Sequence, residues 1–242
     1  MNILSIDIGG TGLKSAVVDE QGNLLTPRVR VGTPHPSPPD VLVNALANLV
    51  AQLTVDYECI SAGFPGVVRH GRILTAPTLG KDVWKNFDLA GELAKRLGKP
   101  ARVLNDADMQ GLAAIAGNGV EMVITLGTGL GSALFADGLL GPHLELAQHD
   151  FRKNQTYNEQ LGNETLKRIG KKKWNRRVRL AIDSLRTLTN FDKLYIGGGN
   201  AEKISFKLER DIKIVPNEDG LKGGAWLWRA QIGERAKKKA KA

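Results

Sequence analysis

Apolar residues alternate with polar ones in short runs at the start of the chain, and take helical spacing further on. Residues 3–8, 13–19 and 24–32 are strand-like, and the turn Asp19 to Gly22 predicts that the three form a meander. A Pro-rich connection, Thr33 to Pro39, follows. Within it Ser37 has the position of a helix N-cap, with Pro38 at the first helical position and Asp40 at capping-box spacing. The helix so begun is predicted to run to about Leu53, with Val41, Leu42, Ala45, Leu49 and Leu53 inward. Glu58 to Phe64 reads as a strand closed by the turn Gly63-Phe64-Pro65-Gly66. Val67-Val68 and Arg72 to Leu74 flank His70-Gly71 as a hairpin, and Asp88 to Leu97 is a helix stopped by Gly98-Lys99-Pro100. A strand from Ala101 to Leu104 delivers Asn105-Asp106-Ala107-Asp108, and Met109 to Ala116 is helical.

The pattern then starts again. Met122 to Asp137 predicts a hairpin, followed by a polar stretch from His143 to Asn163. A long helix spans about Lys171 to Leu188, with Trp174, Val178, Ala181, Ile182 and Leu185 along one side. Lys193 to Ile196 is a strand running into Gly197-Gly198-Gly199-Asn200, Lys213 to Val215 a short strand, and Gly223 to Ile232 a last helix that packs back on the first half. Strands alternating with helices in two copies predict an α/β protein of two domains with mixed central sheets, residues 1–105 and 106–242.

The repeat is also written in the residues. Gly10-Thr11-Gly12-Leu13-Lys14-Ser15-Ala16 recurs as Gly127-Thr128-Gly129-Leu130-Gly131-Ser132-Ala133, with six of the seven positions identical and an apolar strand before each copy. Glycine lets backbone amides come close to an anion, and threonine adds a hydroxyl donor. Two such hairpins predict two similar domains that close on a polyphosphate. A P-loop is a poor match, because Leu13 stands where that motif places glycine before its lysine, and the residues after Ser15 are strand-like.

Composition adds little against this picture. Of 242 residues, 24% are charged and 42% hydrophobic, ordinary values for a folded protein with a sizeable core. The one cysteine, Cys59, cannot form an internal disulfide and fits a reducing, cytoplasmic setting as a small buried residue. The apolar start is too short for a signal peptide, and no stretch approaches the roughly 18 apolar residues of a membrane span. The net charge of +9 is concentrated in Lys171, Lys172, Lys173, Arg176, Arg177 and Arg179, and in a tail at 233–242 with Arg235, Lys237, Lys238, Lys239 and Lys241. The first cluster reads either as a solvated helix face or as a track for a polyanion. No zinc-finger or RNA-binding signature points to nucleic acid.

Six segments stand in an order that resembles the ROK family of sugar kinases, and within it the polyphosphate/ATP glucokinases of the actin-like ATPase superfamily. They are Asp7 to Lys14, Gly63 to Gly66, Asn105 to Asp108, Leu126 to Gly131, Glu145-Leu146-Ala147 and Ile196 to Gly199. The resemblance implies transfer of a phosphoryl group from ATP or inorganic polyphosphate to the 6-hydroxyl of a hexose, glucose first, in a cleft between two actin-like domains. It implies Asp106 as catalytic base, a role suited to a carboxylate at a strand end. It makes Asn105, Glu145, Gln148, Thr78, Pro65 and Gly66 sugar-binding. Gly9, Gly10, Thr11, Gly12 and Lys14 become a first phosphate loop, Gly127, Thr128 and Gly129 a second, and Gly197, Gly198 and Gly199 the place of an adenosine. Asp7 would orient Mg²⁺ through water, and a homodimer is the family's assembly.

Three departures stand out. The family has His three residues after its sugar-binding Glu, where this chain has Gln148 and then His149; Asn is common where Thr78 stands; and the Cys-rich zinc motif is absent, so no structural zinc is expected. The first two leave open a kinase for an N-acetylated or amino hexose. A sugar or nucleotide sensor is the non-catalytic alternative, but the DNA-binding segment of ROK repressors precedes the first loop, which here starts at residue 7. His35, His70 and His143 show no metal-ligand spacing and are expected in surface loops or turns.

Overall fold

The computed structural model describes residues 1–216 and 219–229, which divide into two compact units at 113/114 and 217/218. The first unit opens with β1 (Ile3–Ile8), β2 (Gly12–Val18) and β3 (Val29–Gly32), followed by α1 (Pro39–Val50) and β4 (Cys59–Phe64). It continues through the short hairpin β5 (Val68–Arg69) and β6 (Arg72–Ile73), a 3₁₀ turn at Lys81–Trp84, α2 (Leu89–Leu97), β7 (Ala101–Asn105) and α3 (Asp106–Ala114). The second unit contains β8 (Val120–Leu126), β9 (Leu130–Ala136), β10 (Leu139–Leu140), β11 (Asp150–Arg152), β12 (Gln155–Thr156), α4 (Tyr157–Leu161), α5 (Asn163–Thr189), β13 (Lys193–Gly197) and β14 (Ile212–Ile214). Residues after 217 return to the first unit as α6 (Asp219–Lys222) and a 3₁₀ stretch, Gly223–Trp228.

Each unit carries one five-stranded mixed sheet, and the two sheets have the same plan. The orders are β3-β2-β1-β4-β7 and β10-β9-β8-β13-β14. In each, a three-stranded antiparallel meander is extended by two parallel strands. On one face of the first sheet the core is built from Leu4, Ile6, Val17, Phe64, the α1 residues Leu42, Leu46 and Leu49, and the buried Trp84. The Trp84 indole N–H reaches the Ser37 and Leu79 carbonyls at 2.9 and 3.1 Å, so the largest core side chain also fixes two loops. Ile3, Val18, Cys59 and Ala225 form a separate cluster with Trp226 and Trp228 packed against it. There the Ser5 and Ser61 hydroxyls donate to the Leu221 and Gly224 carbonyls, each at 2.7 Å. Around Trp174 and α5, the second unit has its own core.

Several predicted boundaries move. The first unit runs on to Ala113, taking in nearly all of α3, which packs on β4: a Cβ at Gly63 would lie 2.9 Å from the Met109 Cε and 3.1 Å from the Asp106 Cα. Ser37 is not the cap of α1. Its hydroxyl bonds the Pro34 carbonyl, Pro38 takes the cap position, and the helix turns Val43 and Leu46 inward while Val41 is exposed. The third strand shrinks to 29–32, and Leu24 keeps only an isolated bridge to Val18. α5 begins at Asn163 and is broken at Gly170 (φ 78°, ψ 159°), so the helix expected from Lys171 is its second segment. The predicted last helix is a short α-turn and a 3₁₀ stretch to Trp228; its final residues and the basic tail lie outside the described residues.

Candidate active site

In the first unit, β1 and β2 are held in a register that pairs Asp7 with Lys14 on one face of the hairpin. The two side chains form an ion pair at 2.7 Å, both less than a quarter exposed. The turn between the strands is closed by the Gly9 amide donating to the Gly12 carbonyl at 3.0 Å. Outside bonds brace it: the Thr33 hydroxyl donates to the Gly9 carbonyl at 2.6 Å, and His35 Nε2 lies 3.2 Å from the Gly10 carbonyl oxygen. The Gly10 and Thr11 amides take no hydrogen-bond partner among the described residues. Two unengaged donors on a braced glycine turn suit an anion. Thr78, expected in a sugar pocket, rests against this loop, with its Cβ 3.2 Å from where a Cβ at Gly10 would stand.

Asp106 is the first residue of α3, where the unpaired amides of a helix start favour a carboxylate. Its position is set by Asn105. The Asn105 Oδ1 accepts from the Ala107 and Asp108 amides at 2.8 and 3.2 Å, capping the helix. Its Nδ2 donates to the Gly66 carbonyl at 3.1 Å and reaches the Phe64 carbonyl at 3.4 Å. The amide of Asn105, expected to bind a sugar hydroxyl, is thus engaged at both ends by the backbone and couples Asp106 to the Pro65-Gly66 turn. Gly66 is confined there, because a Cβ would overlap the Thr75 carbonyl.

In the second unit the Gly127 amide donates to the Gly129 carbonyl at 2.9 Å. Neighbouring elements brace this loop as well. The Asn158 side chain accepts from the Leu130 amide at 3.0 Å, the Asn163 amide donates to the Gly127 and Thr128 carbonyls, and the Asn200 Nδ2 donates to the Gly127 carbonyl at 3.0 Å. Gly198 (φ 84°) passes so close under Leu126 that a Cβ would overlap its carbonyl. The glycine run 197–199 is therefore fitted against the second loop. Glu145 lies half-buried at the start of a 3₁₀ turn, Leu146–Gln148, on a segment pinned by the Ser132 hydroxyl donating to the Leu144 carbonyl at 2.9 Å. Gln148 and His149 are exposed.

The structure brings Asp7, the loop 9–12, Lys14 and Thr78 together, and ties Asn105 and Asp106 to Pro65 and Gly66; in the second unit it joins the loop 127–129 to the run 197–199. Glu145 and Gln148 share one segment. Several participants were not expected. His143 has a side chain only 9% exposed, with Nε2 4.0 Å from the Glu145 carboxylate, in place of the surface position read for it. His35 is exposed on a loop, as expected, and in addition its Nε2 lies against the first loop at the Gly10 carbonyl. Asn200 follows three glycines, a signal that was visible in the sequence, whereas Asn158 lay in a polar stretch with no local pattern to mark it.

A metal would meet one carboxylate here. Among the described residues no three His, Cys, Asp or Glu side chains form a group able to hold an ion. Asp7 alone, half-buried beside the phosphate loop, fits Mg²⁺, which keeps most of its waters and completes its shell with substrate phosphates.

The sequence model of the ROK family matches residues 3–141. The polyphosphate glucokinase of Mycobacterium tuberculosis is 30% identical to this chain over 240 residues, 91% of this chain and 88% of that protein. An N-acetylmannosamine kinase of Escherichia coli is 32% identical over 148 residues, 59% of this chain and 50% of that protein. Among solved structures, an inorganic polyphosphate/ATP-glucomannokinase from Arthrobacter superposes with a TM-score of 0.84 at 31% identity, covering 93% of this chain and 97% of that one.

Proposed function

The chain belongs to the ROK family, and on that premise we propose that it is a glucokinase, transferring the terminal phosphoryl group of ATP or inorganic polyphosphate to the 6-hydroxyl of glucose. The observation that carries the reading is Asp106, held at the start of α3 by an Asn105 whose amide is bonded at both ends. In this role Asp106 accepts the proton of the attacking hydroxyl as the new phosphorus–oxygen bond forms and the donor's bridging bond breaks. In the first unit the free amides of Gly10 and Thr11, with Lys14, suit phosphate oxygens of the donor; in the second, the loop 127–129 suits a phosphate and the run 197–199 an adenosine. When bound, Mg²⁺ would neutralise charge on the donor phosphates, and Asp7 is the residue that would hold it. Glu145, backed by His143, binds sugar hydroxyls.

Hexose phosphorylation by the purified protein with Mg²⁺, comparing ATP with long-chain polyphosphate on a panel of sugars, tests the reading. Glucose 6-phosphate is the expected product. Asp106→Asn is expected to lower kcat by about 10²- to 10⁴-fold with an unchanged melting temperature; normal turnover would defeat the base assignment. A second reading, a kinase for an N-acetylated hexose, is favoured by Thr78 and Gln148 and by the N-acetylmannosamine kinase relative. Turnover confined to such a sugar would establish it.

The basic face of α5 supports polyphosphate use. Lys171, Lys172, Lys173 and Arg176 are exposed, while Arg179 lies 4.7 Å from the Phe206 ring centre. Arg177 is half-buried, its guanidinium pKa pushed down by burial and by the nearby Arg152 and Arg168. Reversing the charge of Lys172 and Arg176 is expected to weaken long-chain polyphosphate use far more than ATP use; equal effects would remove the track. We further propose a homodimer, to be checked by sedimentation. No helix among the described residues is long and apolar enough to cross a membrane, which is compatible with a cytoplasmic enzyme.

A further inference from the structure

We propose that Arg30 is a phosphate-binding residue of the first loop, engaging the phosphoryl donor beside Lys14 on the same face of the hairpin. The proposal rests on the reading of the loop as a donor site. Its own support is geometric. β2 and β3 pair Gly12 with Gly32 and Lys14 with Arg30, so the two cationic side chains stand directly opposite each other. Like charges in that position repel. For Lys14 the repulsion is offset by Asp7 at 2.7 Å. Arg30 has no such relief: its guanidinium makes no hydrogen bond or ion pair among the described residues, and the side chain is exposed.

An unpaired exposed arginine ordinarily extends into water, but this one lies back over the loop. A Cβ at Gly12 would stand 3.0 Å from the Arg30 Nε and 3.2 Å from its Nη2. Glycine at position 12 therefore lets the guanidinium rest on the loop backbone, next to the turn whose Gly10 and Thr11 amides are unengaged. A planar guanidinium with free N–H groups suits paired phosphate oxygens, which a lysine meets only as a point charge. An anion there would bond Arg30 and relieve the repulsion between Arg30 and Lys14 together. The ligand class is a condensed phosphate, the triphosphate of a nucleotide or inorganic polyphosphate, and the donor comparison below separates these sources.

The test uses the full chain and inorganic tripolyphosphate as probe, titrated calorimetrically without sugar. Arg30→Gln is expected to weaken tripolyphosphate binding by about ten- to a hundredfold. Arg30→Lys should recover part of the loss, and Lys95→Gln, on the exposed face of α2, should leave binding unchanged. In turnover assays the KM for the donor should rise more than kcat falls. A larger rise with polyphosphate assigns the contact to the inorganic chain, an equal rise to both donors. Unaltered tripolyphosphate binding by a folded Arg30→Gln protein would overturn the proposal, as would wild-type protein that binds no tripolyphosphate. Wild-type protein that binds the probe but phosphorylates no sugar would sink the kinase reading alone, leaving Arg30 to be judged by the binding data.

Discussion

Gly66 shows how closely one residue can be tied to the proposed base, Asp106. A Cβ there would overlap the Thr75 carbonyl, and the Gly66 carbonyl itself accepts from the Asn105 amide that caps α3 below Asp106. Gly66→Ala must push the turn away and drag that amide with it. Loss of kcat by about 10²-fold, with glucose KM changed less, is the expected result, since a misplacement of about 1 Å can cost that much. Cys59 gives a second residue-scale test. Burial pushes its thiol up from 9.0 to about 11. A raised thiol pKa stabilises the fold below pH 9, and the contribution is lost as the pH rises through 11. Because the thiolate is the reactive form, native protein at pH 9 should be alkylated by iodoacetamide much more slowly than protein in denaturant; equal rates would show the thiol to be open. At this scale the sequence was legible where a tight turn needs a fixed residue type, as with the glycines of both loops. It was silent where a role comes only from folding. Nothing near His143 announces that its side chain will be buried beside Glu145, or near Arg30 that it will lie across Gly12.

At the scale of elements, the two Gly/Thr hairpins share one plan but differ in turn length and at several cross-strand pairs, one of which changes charge. Asp7 and Lys14 occupy it in the first, as an ion pair; in the second Thr125 faces Gly131, and the threonine hydroxyl accepts from the glycine amide at 3.1 Å. One loop keeps a charged pair and the other a neutral one. Both hairpins were readable, because the glycine spacing and apolar flanks are local. Helix starts were less so. The Ser37 signal lost to the Pro34 carbonyl, which takes its hydroxyl, and α5 was read from Lys171 because its first seven residues, 163–169, carry few apolar positions. Gly170 joins the two segments in a conformation that only glycine tolerates readily. Gly170→Ala is therefore expected to lower stability by about 1–3 kcal/mol, measured by denaturant unfolding; a neutral result would mean that the break can straighten.

At the scale of the whole molecule, the equal strand order of the two sheets makes the internal repeat a property of the fold and not only of two loops. The repeat was visible in the sequence because each copy brings its own meander and its own apolar helix. The division point was not, because it depends on which sheet a helix packs against, and α3 stays with the first. The return of residues 219–229 to the first sheet was expected only as a last helix. What holds it is two serine hydroxyls under Leu221 and Gly224, the Trp228 indole on Ser61 at 2.9 Å, and two adjacent glycines, since a Cβ at Gly223 would overlap the Met109 carbonyl and one at Gly224 the Ser5 hydroxyl. A chain ending at residue 216 is expected to leave Ile3, Val18 and Cys59 uncovered and to lower the melting temperature by several degrees, with more binding of a hydrophobic dye. An unchanged melting curve would show that the segment is dispensable.

That closing segment also sets an order of events during synthesis. β1, β2 and α3, which carry Asp7, Lys14 and Asp106, leave the ribosome early, yet the residues that cover Ile3, Val18 and Cys59 are translated about 110 positions after α3 ends, a delay of roughly 5–20 seconds. Throughout that interval the newborn first unit presents an apolar sheet face to the cell while the second unit can already fold.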